Sequence, residues 1–166
     1  FAAALPAIPK DVYWGSNSAA DVVAVGVPYL DGEIAYRKGD LETAVRKLSE
    51  SVKLEDALKY DEPPAWAVPP RHALGAVLLE AKRPAEAEAV YREDLAKYPE
   101  NGWSLRGLAT ALEMSSKAAK AAAVEKRFEA AWARASIELE TSCLCVRKGR
   151  LDAPLAPLET SSARSR

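Results

Sequence analysis

Cysteine and histidine are scarce in this chain of 166 residues, which contains two cysteines and one histidine. Two cysteines are too few for a disulfide scaffold in a chain of this size, and thiols two positions apart rarely bridge, so the sequence favours a reducing compartment. Cys143 and Cys145 supply half of a structural zinc site and no second pair follows. We therefore expect no metal site within one chain and no cofactor; oxidation, or a site shared by two copies, stays open.

Long apolar runs and a large excess of charge of one sign are absent, and aromatic residues are few. No stretch of 18 apolar residues is present, so no transmembrane helix is expected. The net charge of −1 favours neither nucleic acid nor an anionic membrane as a partner. Isolated glycines do not form a phosphate-binding loop. Two Phe and six Tyr argue against a β-rich fold.

The first residues, FAAALP, lack both an initiator Met and a basic segment, so they are not typical of a signal peptide. The chain is therefore expected to begin inside a longer protein or after processing. Without a targeting signal, a cytoplasmic location is the expectation.

The chain does contain a repeat of small and large apolar residues at helical spacing. Its clearest copy combines leucines, small residues, a tyrosine and a closing proline: Leu74, Gly75, Leu78, Ala81, Ala87, Tyr91 and Pro99. A weaker copy begins 34 residues later at Leu108 and Ala109, and an earlier copy is offset by 43 residues. The small residue pairs, 12 apart in each copy, are Gly32 and Ala44, Gly75 and Ala87, and Ala109 and Ala121. A period near 34 with two helices per unit indicates a helical repeat array.

Residues 74–99, LGAVLLEAKRPAEAEAVYREDLAKYP, resemble a tetratricopeptide repeat, and the following ENGWSLRGLATALE is similar to the first helix of the next one. More narrowly, residues 61–112 resemble the C-terminal repeats of large tetratricopeptide proteins of bacteria and some algae. The resemblance implies an all-α, right-handed α-solenoid of about three helical hairpins with a long C-terminal capping helix. It also implies a concave binding face and no specific reaction.

The boundaries follow from caps, prolines and the repeat. Residues 1–17 are expected to be irregular, with a turn at 14–17. The repeat domain is expected to span residues 18–139, in units 22–58, 69–99 and 102–139. Residues 140–166 are expected to form a flexible tail. Four prolines within residues 63–70 exclude a helix from the insertion 59–70. The expected helices are 19–38, capped by Ser18, then 41–58, 71–82, 84–97, 102–114 and 117–139.

Protein or peptide recognition within a larger protein or assembly is the expected function, with self-association as an open possibility. The resemblance places first-helix residues on the concave face: Tyr29, Glu33, Tyr36, Arg37, His72, Glu80, Trp103 and Arg106. The insertion adds loop candidates: Tyr60, Asp61, Trp66 and Arg71. Aromatic side chains beside arginine suit a peptide groove. The alternative is that these aromatics only cover neighbouring helices, and that Trp66 fills a gap between units.

Two other classes of function stay open. The array is a purely structural brace or oligomerisation unit if residues 1–17 or the tail block its groove. It is an enzyme-associated domain if His72 and a carboxylate of the loop, Asp61 or Glu62, form a pocket with a general base. No nucleophile at an informative spacing accompanies His72, so catalysis is not expected.

Overall fold

The computed structural model describes residues 2–146, and these are mostly helical, as expected for an all-α chain. The six α-helices of this part are Ala19–Arg37 (α1), Leu41–Asp56 (α2), Pro70–Glu80 (α3), Pro84–Lys97 (α4), Gly102–Met114 (α5) and Ala118–Trp132 (α6). Each helix packs against the next along the chain. Their starts lie within one residue of the predicted ones, and the first five end within two residues of the prediction.

A short ribbon precedes α1. After a 3₁₀ helix, Ala2–Ala7, the strands Tyr13–Trp14 (β1) and Asn17–Ser18 (β2) pair antiparallel around the predicted turn. Gly15 occupies the turn with φ +59°, a conformation that suits glycine. Ser18 then caps α1 as predicted, because its side chain accepts a hydrogen bond from the Asp21 amide.

Three helix-to-helix turns have the same backbone conformation. The residue at positive φ is Gly39 between α1 and α2, Lys82 between α3 and α4, and Ser116 between α5 and α6. In each turn the next amide donates to the carbonyl five residues back: Asp40 to Ala35, Arg83 to Leu78, and Lys117 to Leu112, at 2.9–3.0 Å. These positions are 43 and 34 residues apart, which are the offsets of the sequence repeat.

Glycines allow large side chains to pass between helices. A Cβ atom on Gly75 of α3 would lie 2.3 Å from the Tyr91 ring, and one on Gly107 of α5 would lie 2.2 Å from it. The ring of Tyr91 on α4 therefore fills the space between α3 and α5. Gly32 has the same relation to Leu48, whose nearest side-chain atom would be 2.7 Å away.

The last helix is shorter than the sequence predicts. It ends at Trp132 and not at residue 139, and at 15 residues it is no longer than an ordinary helix of this fold. The Trp132 ring stacks on Phe128 and meets Trp103 edge-on, with centroid distances of 5.9 and 6.2 Å. Its indole N–H donates to the Ile137 carbonyl at 2.9 Å. This contact turns the chain back toward the other helices.

No helix among residues 2–146 combines the length and the apolarity that crossing a bilayer requires.

Candidate functional site

Residues 137–146, called the groove segment here, run over the face that the first and third helices share. That face, the α1/α3 face, consists of Glu33, Tyr36 and Arg37 on α1 and His72 on α3. The segment buries five side chains: Leu139, Ser142, Cys143, Cys145 and Val146. Its four apolar members join the hydrophobic core. This packing differs from the flexible tail predicted from residue 140; the rest of that tail, 147–166, lies outside the described residues.

Polar contacts fix the groove segment at two points. The Arg37 guanidinium donates to the Cys145 carbonyl at 2.7 Å, across 108 positions of sequence. Ser142 Oγ shares a hydrogen bond of 2.5 Å with the Tyr91 hydroxyl and lies 3.5 Å from the His72 carbonyl. Burial raises the pKa of Tyr91 above its ordinary value. Two of these three contacts are made to main-chain carbonyls, those of Cys145 and His72.

The two cysteines of the segment form a disulfide with each other, although thiols two positions apart were expected to bridge only rarely. The backbone explains the pairing. The Val146 amide donates to the Cys143 carbonyl at 3.3 Å, and the Cys145 amide donates to Cys143 Sγ at 3.1 Å. This tight turn directs both side chains toward α1.

Glu33 faces these sulfurs. One carboxylate oxygen of Glu33 and the two Sγ atoms lie within 4.8 Å of one another. Burial raises the pKa of Glu33, and the nearby charge of Arg37 opposes that shift. Glu33 Oε1 is buried and has no hydrogen-bond partner among residues 2–146.

The other candidates on α1 and the loop pack against each other. Tyr29 meets Trp66 at a centroid distance of 6.3 Å, so the insertion lies against α1. Burial, then the charge of Glu33, raises the pKa of Tyr29 to about 12. The Tyr36 ring is buried beneath the Arg37 guanidinium. Glu80 is exposed on α3, and after burial its charge is the next largest cause of the raised pKa of Tyr36.

His72 belongs to a buried polar network and not to a pocket with the loop carboxylates. Its Nε2 lies 3.3 Å from an oxygen of Asp94 and 2.8 Å from Asn101 Nδ2. The same Asp94 oxygen accepts from Ser104 Oγ at 2.6 Å and from Asn101 Nδ2 at 3.0 Å. A fully buried carboxylate with these partners joins α3, α4 and α5.

Two loop candidates also differ from their expected placement. Asp61 accepts hydrogen bonds from the Ser16 amide and from Asn17 Nδ2, which ties the insertion to the N-terminal ribbon. Arg71 is buried, and its guanidinium donates two bonds of 2.7 Å to Asp56. Arg71 therefore holds α3 against α2. Tyr60 is exposed and bonds only to its neighbour Glu62 among the described residues.

The two candidates on α5 make contacts with α6. Arg106 donates to both oxygens of Glu125, at 2.9 and 3.0 Å, and covers the Phe128 ring at 3.9 Å. Trp103 stacks on His72 at 6.4 Å and meets Trp132. The groove segment therefore brings together Glu33, Arg37 and the His72 carbonyl. Among the described residues, no hydrogen bond joins it to the side chain of Trp103 or Arg106.

Sequence reasoning missed the groove segment itself. A signal was present, because Cys143-Leu-Cys-Val146 is a run of four apolar residues within the predicted tail. The repeat pattern predicts that Tyr91 packs between helices, but it does not predict the hydrogen bond between its hydroxyl and Ser142.

A comparison with family models, with curated proteins and with solved structures finds no match to this chain. The resemblance to tetratricopeptide repeats therefore depends on the residues quoted from the sequence. The residues of the α1/α3 face are described from their contacts alone.

Proposed function

We propose that this chain is a tetratricopeptide-like scaffold that recognises a non-helical protein segment, with helices α1 and α3 lining a concave groove of a right-handed solenoid. The observation that carries the proposal is the groove segment, which lies on the α1/α3 face without forming a helix or strand of its own. The chain thus presents a peptide-like ligand to its own groove. A partner segment with similar chemistry would compete for the same face.

The contacts define the chemistry of such a partner. Arg37 donates to a main-chain carbonyl, which any residue offers, and Ser142 inserts a hydroxyl between Tyr91 and the His72 carbonyl. Leu139 and Val146, both buried, fill apolar positions at either end. We therefore infer a preference for a non-helical segment with a central serine or threonine flanked by aliphatic side chains.

A matched pair of substitutions tests the proposal. Leu139→Asp puts a charge at a position that is 7% exposed, whereas Ile137→Asp puts the same charge at one that is 60% exposed. Leu139→Asp is expected to release the groove segment, because burying an unpaired carboxylate costs several kcal/mol. A fluorescent peptide of residues 136–146, in its disulfide form, should then bind the Leu139→Asp chain and not the Ile137→Asp chain.

Anisotropy measures the binding, and circular dichroism confirms that both variants remain helical. Adding Arg37→Ala to Leu139→Asp should lower the affinity for the peptide, because the 2.7 Å hydrogen bond from Arg37 to the peptide main chain is lost. A folded Leu139→Asp chain that binds no peptide at high micromolar concentrations would refute recognition at this face.

A brace without a free groove is the second candidate function, and the same observation favours it. A brace is expected if the chain blocks its own groove, and residues 137–146 contact the α1/α3 face through Arg37 and the His72 carbonyl. The two candidates differ in exchange: a brace keeps its segment permanently, and a recognition scaffold lets a competing segment replace it.

A further inference from the structure

A cluster of three potential metal ligands lies between the groove segment and α1. The Glu33 carboxylate and the sulfurs of Cys143 and Cys145 fall within 4.8 Å of one another, and both sulfur-bearing residues are buried. A tetrahedral zinc ion with bonds of about 2.3 Å to sulfur and about 2.0 Å to oxygen holds its ligands roughly 3.5 Å apart. Small side-chain movements after the disulfide opens would reach that spacing.

The free carboxylate oxygen is a second, independent observation. Glu33 Oε1 is buried without a hydrogen-bond partner among residues 2–146, an arrangement that costs free energy unless a donor or a cation completes it. A cation in this cluster would contact the Glu33 carboxylate. The nearby Arg37 guanidinium instead donates to the Cys145 carbonyl.

We propose that the reduced chain binds one zinc-type divalent ion through Glu33, Cys143 and Cys145. A dithiol reduces the disulfide: it transfers two electrons and two protons, becomes a cyclic disulfide itself, and leaves two thiols on the chain. Binding of Zn²⁺ then releases the two thiol protons and forms two sulfur bonds and one bond to the ionised carboxylate. Thiolates and a carboxylate suit zinc, and water completes a fourth position.

Surrounding groups support a charged site of this kind. Two thiolates, a carboxylate and a divalent ion sum to −1, and Arg37 adds a positive charge beside them. The Cys145 amide donates to Cys143 Sγ at 3.1 Å, which stabilises a thiolate at that position. The disulfide joins the segment only to itself, whereas the metal would join the segment to α1.

Co²⁺ added to the full chain, with a phosphine reductant present, is the probe for this site. Thiolate-to-cobalt charge-transfer absorption reports sulfur ligands, and the intensity of the visible bands reports tetrahedral geometry. We expect one Co²⁺ per monomeric chain, displaced by Zn²⁺, and no charge-transfer band in the oxidised chain. Glu33→Gln should weaken Co²⁺ binding by about tenfold or more, because one ligand is lost.

Glu80→Gln is the matched control, since Glu80 is exposed on the neighbouring helix, and it should bind Co²⁺ as the unsubstituted chain does. Circular dichroism verifies the fold of each variant. The proposal is overturned if the reduced chain gives no charge-transfer band, if Glu33→Gln binds with unchanged affinity, or if one ion binds per two chains. Cys143→Ser should abolish the band, and a band that persists in this variant would also overturn it.

Discussion

At the scale of single residues, one tyrosine connects the repeat to the candidate site. The ring of Tyr91 lies between two glycines, and its hydroxyl reaches Ser142 of the groove segment. The small residues that the sequence marks as helix crossings thus have a further effect, because they let this side chain pass from α4 to the opposite face. Tyr91 thus contributes both to the packing of the helices and to the contact with the groove segment.

Gly75→Leu should be severely destabilising, because even a single added carbon would lie 2.3 Å from the Tyr91 ring. Overpacking of this kind costs about 1–3 kcal/mol or more. Thermal denaturation measures the change, and Glu80→Leu, which adds the same side chain at an exposed position of α3, is the control. An unchanged midpoint in Gly75→Leu would refute the repeat alignment.

At the scale of elements, the three equivalent turns carry different residues in one backbone conformation. Gly39 is at φ +80°, and Lys82 and Ser116 are at +59° and +58°. A left-handed conformation costs a residue with a Cβ atom roughly 1–2 kcal/mol, and glycine largely avoids that cost. The same turn therefore has unequal stability in the first repeat and in the other two.

Substitutions at these turns should have opposite signs. We expect Gly39→Ala to lower the free energy of unfolding by about 1 kcal/mol and Lys82→Gly to raise it by up to about 1 kcal/mol. Urea denaturation of both variants measures the two changes. Equal destabilisation by both substitutions would contradict the cost assigned to the left-handed conformation of Lys82.

The contact between α2 and α3 should weaken in acid. Arg71 lowers the pKa of Asp56 below its ordinary value of 3.8 through two hydrogen bonds and its charge. A lowered folded pKa means that the contribution is complete above the unfolded value and is lost as pH falls through the folded one. Asp56 is partly exposed, so we expect a contribution of about 1 kcal/mol or less.

Asp56→Asn should therefore reduce stability near neutral pH and flatten the decline of stability below about pH 4. Chemical denaturation between pH 2 and 7 measures this, at intervals of about half a unit. Asp11→Asn removes a carboxylate from an exposed residue of the N-terminal segment and serves as the control. An acid limb that is identical in Asp56→Asn and the unsubstituted chain would contradict the assignment.

Prediction from sequence succeeded where structure is local and failed where it depends on distant contacts. The starts of the helices follow from nearby signals such as Ser18, which caps α1 with the amide three residues on. The groove segment depends on distant partners, because Arg37 lies 108 positions from Cys145 and Tyr91 lies 51 positions from Ser142. Trp132, where α6 ends, meets Trp103 of α5. Helical periodicity carries no information on such contacts. The pairing of His72 with Asp94 has no local signal either, because the two residues lie 22 positions apart on different helices.

At the scale of the whole molecule, residues 133–146 close the fold upon itself. The chain leaves α6 at Trp132, crosses exposed positions 133–138 and returns to the α1/α3 face. Six helices and a returning segment share one core. The central claim is that the groove segment, residues 137–146, behaves as a peptide bound in a groove.

Cleavage of the exposed connection tests that claim most directly. A protease site inserted between Arg134 and Ser136 lies outside the contacts of the groove segment, and cleavage after folding makes the segment a separate chain. We predict that gel filtration at micromolar concentration recovers both pieces together, and that excess labelled peptide of residues 136–146 replaces the cleaved piece. Immediate separation of the two pieces, with the helical piece still folded, would contradict the account.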